Sequence, residues 1–160
     1  MSDEVEIGRG KRGRRAYTLD DIALVPSRRT RDPEDVNVGW QIDAYHVDIP
    51  LMAAPMDSVM SPETAIAFGR LGGIGVLDLD GLWTRYEDPT PILDHIAHLG
   101  EEESIATLQR VYSEPIKPSL ITARLKQLRE AGVVVAGKLS PQRVQKYWRA
   151  VVDAGVDLFI

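Results

Sequence analysis

The sequence predicts an α/β fold built on a parallel sheet, and a repeated order of elements supports this prediction. Short apolar runs alternate along the chain with segments whose apolar residues recur at helical spacing. Two predicted helices start with Ser-Pro, at 61–62 and 140–141. Glycine directly follows three of the predicted helices, at Gly72, Gly132 and Gly155. Serine caps helix starts, proline suits the first helical position, and glycine follows helix ends. Strands joined through helices in this order lie parallel in one sheet.

The individual elements follow from the same patterns. Short continuous apolar runs are typical of strands that are covered on both faces, and they occur at 49–54, 74–77, 133–136 and 156–160. Helical spacing predicts helices at 61–71, 89–99, 105–112, 119–131 and 140–154. Ahead of the first strand, we expect an extended or single-turn segment at 17–25 and a short strand at 36–42, where apolar residues alternate.

Polar side chains follow the first two strands of the predicted sheet. Met56 and Asp57 come just after Pro55, which ends the first strand, and Asp78 and Asp80 follow the second. Ligands of parallel α/β units bind beyond the carboxyl ends of the strands, so these side chains are predicted to share one rim. The alternatives are a core role for Met56, a cap on the following helix for Asp57, and solvated loop positions for the other two aspartates.

Three motifs resemble the IMP dehydrogenase/GMP reductase family, in that family's order and at about its spacing. They are YTLDDIALVP at 17–26, IPLMAAPMDSV at 49–59 and GGIGVLDLD at 72–80. The resemblance is to the IMP dehydrogenase-related branch, whose members lack the regulatory insert. It implies a parallel (β/α)8 TIM barrel, preceded by a small antiparallel hairpin that closes the amino-terminal end.

The length of the chain limits how much of such a barrel it can form. A complete barrel needs roughly 200 residues or more, so we expect 160 residues to supply only about the first four strands. Residues 1–16 are predicted to form a flexible basic leader, and residues 17–160 the amino-terminal half of the barrel. The stretch 81–132 is too short for the family's regulatory modules, and its sequence reveals no role.

The resemblance implies a nicotinamide-dependent oxidoreductase that acts on a purine nucleoside 5′-monophosphate. In the family a cysteine attacks the purine, and hydride passes to or from NAD or NADP. The chain contains no cysteine, so the nucleophile is expected beyond residue 160 and the chain alone is expected to be inactive. Oxidation of IMP to XMP with NAD is the favoured reaction. Reduction of GMP to IMP with NADPH, or a non-catalytic nucleotide-binding or assembly fragment, are the alternatives.

The resemblance also assigns candidate binding residues. Met56 matches the methionine that lies against the bound nucleotide, and Asp57 is a candidate for orienting ribose hydroxyls. Ala54 falls where some family members have serine, so no side-chain hydrogen bond is expected there. Asp78 and Asp80 replace a basic pattern of the family and are the cofactor-binding candidates, which leaves the preference for NAD or NADP open. Any monovalent cation would be held by regions outside this chain.

Composition restricts partners and location. A net charge of −5 says little about partners, and no apolar run approaches the roughly 20 residues of a membrane span. Together with the absence of a signal peptide, this predicts a cytoplasmic protein without membrane contact. The basic stretch 8–15 has no interleaved aromatic residue, so we expect a solvated leader and no nucleic-acid binding. His95 and His98 lack a convincing third ligand, and no metal site is predicted. The family resemblance implies a homotetramer.

Overall fold

The computed structural model describes residues 4–25 and 32–160, which fall into two units, one ending at Asn37 and one running from Val38 to Ile160. In the first unit, strands β1 (Glu4–Glu6) and β2 (Arg12–Arg14) form an antiparallel hairpin. The prediction of a flexible leader did not anticipate this hairpin, and the division at residue 16 stays a prediction. Residues 1–3 of that leader, and Pro26 of the first motif, lie outside the described residues. The single turn expected within 17–25 is confirmed as a 3-10 helix at Leu19–Asp21.

The second unit begins with another antiparallel hairpin. Strand β3 (Trp40–Ile42) pairs with β4 (Tyr45–Val47), with Trp40 opposite Val47. Asp43 in the connecting turn has φ of +49°, a left-handed conformation that aspartate tolerates better than most residues. The predicted hairpin is therefore present. The strand predicted at 36–42 begins later than expected, because Val36 ends a 3-10 turn at Pro33–Asp35.

Four parallel strands form the central sheet in the order of the sequence. They are β5 (Met52–Ala53), β6 (Ile74–Asp78), β7 (Ala136–Lys138) and β8 (Leu158–Phe159). The register places Ala53 opposite Gly75, and Asp78 opposite Lys138. The predicted parallel sheet with about four strands is confirmed, although most of the strands are shorter than their apolar runs.

The predicted position of the third strand is wrong by several residues. The run 133–136 was expected to form it, but β7 begins only at Ala136. Val133 instead packs so close to Gly69 that a Cβ at Gly69 would stand 2.7 Å from its Cγ1. Val134 packs against the cluster that contains Val47. Local preference for strand was thus overridden by packing against neighbouring elements.

Within the described residues, five α-helices lie between the strands of the sheet. They are α1 (Pro62–Arg70), α2 (Thr90–Ala97), α3 (Glu101–Ser113), α4 (Pro118–Glu130) and α5 (Pro141–Asp153). The predicted helices are confirmed, but α3 starts earlier than expected, because three glutamates in its first turn favour the positive end of the helix. No helix among the described residues is long and apolar enough to cross a membrane.

The main core lies between β6 and the helices α1, α4 and α5. Leu77 of β6, Leu125 of α4 and Val151 of α5 belong to one cluster of buried side chains. Gly75 brings α1 close to β6, because a Cβ there would stand 2.5 Å from the Cα of Ala65. Helices α2 and α3 contribute a single buried hydrophobic side chain, Val111. These two helices, which lie in the connection between β6 and β7, therefore add little to the core.

Candidate functional site

The carboxyl ends of β5 and β6 bring predicted site residues together around one cavity. Because these strands pair in parallel, the residues that follow β5 lie beside the end of β6. Met56, Asp57 and Asp78 line the same cavity, which has a volume of about 450 Å³. This size is typical of small-molecule sites. Half of the Met56 surface is exposed, so the core role considered for it is wrong; Met60 is the buried methionine of this loop.

The other wall of the cavity comes from the segment whose sequence revealed no role. The lining side chains of α2 are Leu93 and Ile96, and those of α3 are Leu108 and Tyr112. The apolar spacing along both helices was visible in the sequence. Their position over the strand ends was not, because nothing local in the sequence specifies which surface such a stripe covers.

Asp57 connects three parts of the site through one carboxylate. Its Oδ2 accepts hydrogen bonds from the Leu82 amide and from the Tyr112 hydroxyl, each at 2.6 Å. Its Oδ1 is buried and has no hydrogen-bond partner in the part of the chain that the structure describes. The alternative of a cap on the following helix is wrong, since Ser61 Oγ accepts the Thr64 amide of α1 at 3.1 Å. Asp57 instead holds the loop after β6 and the end of α3.

Tyr112 is the donor in its bond to Asp57. Burial raises the pKa of the Tyr112 hydroxyl well above its usual value, and the neighbouring Asp57 carboxylate raises it further. The phenol therefore keeps its proton at neutral pH. The guanidinium of Arg85 lies 5.6 Å from the centre of the Tyr112 ring and opposes this effect.

Asp78 and Asp80 share a lysine that the sequence analysis missed. Lys138 Nζ lies 3.4 Å from Asp78 Oδ1 and 3.5 Å from Asp80 Oδ2. Neither carboxylate is a solvated loop group, since the two side chains are only 19% and 16% exposed. Burial raises the pKa of Asp78 more than the Asp80 amide and Lys138 lower it. Lys138 was overlooked because β7 was expected to end at Ala136.

Only one of these two aspartates reaches the cavity. Asp78 lines it, and its Oδ1 also accepts the Asp80 amide at 3.0 Å. Asp80 Oδ2 accepts the amide of Ser140 at 2.6 Å, at the start of α5. Asp80 therefore ties the end of β6 to the next strand–helix unit.

The remaining candidates lie outside the cavity. Ala54 is exposed at the end of β5, and its carbonyl accepts the Met56 amide at 2.9 Å, which shapes the turn into the site. His98 Nδ1 bonds to the Asp94 carbonyl at 2.7 Å, near the end of α2. Within residues 4–25 and 32–160, no group of three or more histidine, aspartate or glutamate side chains is arranged to hold a metal ion.

Comparison with known proteins assigns the chain to a family. The model of the IMP dehydrogenase / GMP reductase domain matches residues 16–160, and the chain belongs to that family. An uncharacterized oxidoreductase of Mycolicibacterium smegmatis is 43% identical over 98% of this chain. An inosine-5′-monophosphate dehydrogenase of Methanocaldococcus jannaschii is 42% identical over 64 residues, which are 40% of this chain and 13% of that protein.

A solved structure resembles the fold closely. The crystal structure of an IMP dehydrogenase/GMP reductase-like protein from Corynebacterium glutamicum matches with a TM-score of 0.80 and 42% identity, over 98% of this chain. The chain spans 43% of that structure and 43% of the M. smegmatis relative. The fold is thus the first part of an IMP dehydrogenase-like barrel.

Proposed function

We propose that this protein oxidises a purine nucleoside 5′-monophosphate, and that the cavity at the ends of β5 and β6 is the part of the substrate site that these 160 residues supply. The observation that carries the proposal is the meeting of Met56, Asp57 and Asp78 on one cavity of about 450 Å³. In parallel α/β folds this edge of the sheet is where ligands bind. The family to which the chain belongs includes both IMP dehydrogenases and GMP reductases, which supports an oxidoreductase acting on a purine nucleotide.

The chemistry of the lining suits the nucleoside part of such a substrate. Most of the lining side chains are apolar, and Asp57 and Asp78 add carboxylates that accept hydrogen bonds. Among the described residues, neither lysine nor arginine lines the cavity, so these walls carry no positive side chain to neutralise a phosphate. Met56 is the proposed contact with the base, and Ala54, outside the cavity, contributes only the carbonyl that accepts the Met56 amide. A ribose hydroxyl reaching Asp57 Oδ2 would have to replace the hydroxyl of Tyr112.

The proposed reaction is the oxidation of IMP to XMP with NAD. NAD supplies the hydride acceptor, and Asp78 is the candidate for contact with a cofactor hydroxyl. Asp80 supports Asp78 through Lys138 and its own amide. The thiolate nucleophile of the family cannot come from these 160 residues, because they contain no cysteine. We therefore expect no turnover from this chain alone. A cytoplasmic location and a tetramer are further parts of the proposal, taken from sequence and family.

The test is an assay of the protein in the longest form that its reading frame encodes. IMP with NAD, and separately GMP with NADPH, are supplied while the absorbance of the reduced cofactor is followed. We expect turnover with IMP and NAD. Turnover only with GMP and NADPH would show that the protein is a reductase and contradict the proposed dehydrogenase. Turnover with neither pair would overturn the proposal that it is an enzyme.

A matched pair of variants locates the site. Met56→Ala should raise the KM for IMP severalfold, because an apolar contact with the base is lost. The control is Val59→Ala, which removes a similarly exposed apolar side chain from the same loop. The Val59 side chain does not line the cavity, so KM should stay unchanged. Equal KM values for IMP in the two variants would contradict a substrate contact with Met56.

A further inference from the structure

Helices α2 and α3 carry apolar side chains that the core does not use. Leu93, Ile96, Leu108 and Tyr112 all line the cavity, while Val111 alone among the side chains of these helices is buried in the core. Helices whose packing stabilises a domain bury their apolar stripe in it. Here the stripe instead faces the space next to Met56 and Asp78.

The end of α3 is held in place by contacts from two neighbouring loops. Arg85, which is only 5% exposed, donates to the Asp80 carbonyl at 2.9 Å and also to the Glu114 carbonyl just after α3. The Tyr86 hydroxyl donates to the Val111 carbonyl at 3.1 Å. The third contact is the bond from Tyr112 to Asp57. The first two contacts fix the backbone, whereas the third fixes a side chain that lines the cavity.

The carboxylate of Asp57 holds this arrangement through one oxygen and leaves the other without a hydrogen-bond partner among the described residues. Both hydrogen bonds that it accepts reach Oδ2, and Oδ1 faces the backbone at Gly81, where a Cβ would stand 2.1 Å away. The side chain of Asp57 thus serves to anchor α3. The surface that a bound molecule would meet on this side is the ring of Tyr112 and the neighbouring Leu108.

We propose that α2 and α3 form the wall of the substrate site that packs against the purine nucleoside, and that Asp57 positions this wall through Tyr112. The proposal rests on the proposed function and deepens it by naming what holds the base. A flat, uncharged base matches an apolar wall, and the cavity of about 450 Å³ has room for it beside the carboxylate of Asp78. In this chain the segment between β6 and α4 thereby shapes the substrate site.

Two matched pairs of variants test the wall, with binding of IMP and of inosine to the 160-residue chain measured by calorimetry. Leu108→Ala should weaken binding about fivefold, because an apolar contact with the base is lost. Ile105→Ala is the control, since Ile105 lies on the same helix, is 51% exposed and does not line the cavity. Inosine and IMP should lose the same factor, because the wall does not touch the phosphate.

The second pair tests the positioning role. Tyr112→Phe should weaken binding of both ligands about threefold to tenfold, because the wall loses its bond to Asp57. Tyr45→Phe removes a hydroxyl that is bonded to Asp157, on neither α2 nor α3 and outside the cavity lining, and should leave affinity unchanged. Far-UV circular dichroism and thermal melting establish that each variant is folded.

The outcomes separate the two proposals. Absence of IMP binding to the wild-type chain at millimolar concentration overturns the proposed function, and the wall with it. Binding to the wild type with unchanged affinity in Leu108→Ala overturns the wall alone. Tighter binding in Tyr112→Phe would make the Tyr112 hydroxyl a competitor of the substrate and overturn its positioning role.

Discussion

Replacement of Asp157 by asparagine should destabilise the fold, because this carboxylate joins the β3–β4 hairpin to the central sheet. Asp157 Oδ1 accepts the Tyr45 hydroxyl and Arg129 Nη2, each at 2.6 Å, and Oδ2 accepts the Val135 amide at 2.9 Å. The side chain is 7% exposed. An asparagine amide would place its NH2 group against either Arg129 or Val135, and both are donors.

The magnitude follows from these contacts. The substitution removes one hydrogen bond to the carboxylate and leaves two N–H donors facing each other. The ion pair with Arg129 adds little to the free energy, because solvent screens a side chain that is 48% exposed. We expect a loss of about 2–3 kcal/mol in the free energy of unfolding. For a chain of this size the melting temperature should fall by about 5–10 °C.

The effect should also depend on pH. Burial alone would raise the pKa of Asp157, but the bonds from Arg129, Tyr45 and the Val135 amide together lower it below its usual value. A lowered pKa in the folded state means that the stabilisation is complete above the unfolded pKa, about 3.9, and is lost as pH falls through the folded value. The difference between wild type and Asp157→Asn should therefore be constant near neutral pH and shrink below about pH 4.

Urea unfolding followed by circular dichroism measures this difference, with Asp153→Asn as control. Asp153 is an exposed aspartate in the last turn of α5, and its replacement should change stability by less than about 0.5 kcal/mol. If Asp157→Asn matched this control at neutral pH, the carboxylate would not hold the hairpin. The reasoning would then be refuted.

Three further changes probe the core, the site and a helix cap. Gly81→Ala should displace Asp57 and weaken IMP binding measured by calorimetry, because the new Cβ would stand 2.1 Å from Asp57 Oδ1; unchanged affinity would show that the loop yields freely. Leu125→Ala should cost about 2–5 kcal/mol in urea unfolding, since this side chain is fully buried between helices and sheet, and a loss below about 1 kcal/mol would contradict the packing. Ser61→Ala should lower the free energy of unfolding by about 1 kcal/mol in the same measurement, because the bond from the Thr64 amide is lost. An unchanged free energy would show that the cap does not stabilise α1.

The sequence was sufficient for the parallel sheet because its signals are local. The Ser-Pro starts of α1 and α5 coincide with the observed first residues Pro62 and Pro141, and Gly72, Gly132 and Gly155 all adopt positive φ just after helices. The meeting of Met56 with Asp78 also followed, since parallel pairing alone brings the ends of neighbouring strands together.

Contacts between distant residues were beyond sequence reasoning. The bond of Tyr112 to Asp57 spans 55 positions, and that of Lys138 to Asp78 spans 60. Each depends on how a helix or strand is placed by the whole fold. The start of β7 was also mispredicted, because Val133 packs against the distant Gly69 and lies outside the strand.

The most direct test of a nucleotide site at this rim is the spectrum of the methionine methyl groups during titration with IMP. The chain has four methionines, so 13C-methyl labelling gives four signals, and Met56→Leu identifies the one at the cavity. Met60 is 5% exposed in the core and serves as the internal control. We predict that the Met56 signal shifts with saturation while the Met60 signal stays in place. A Met56 signal that does not move at millimolar IMP would contradict the assignment of this cavity to the substrate.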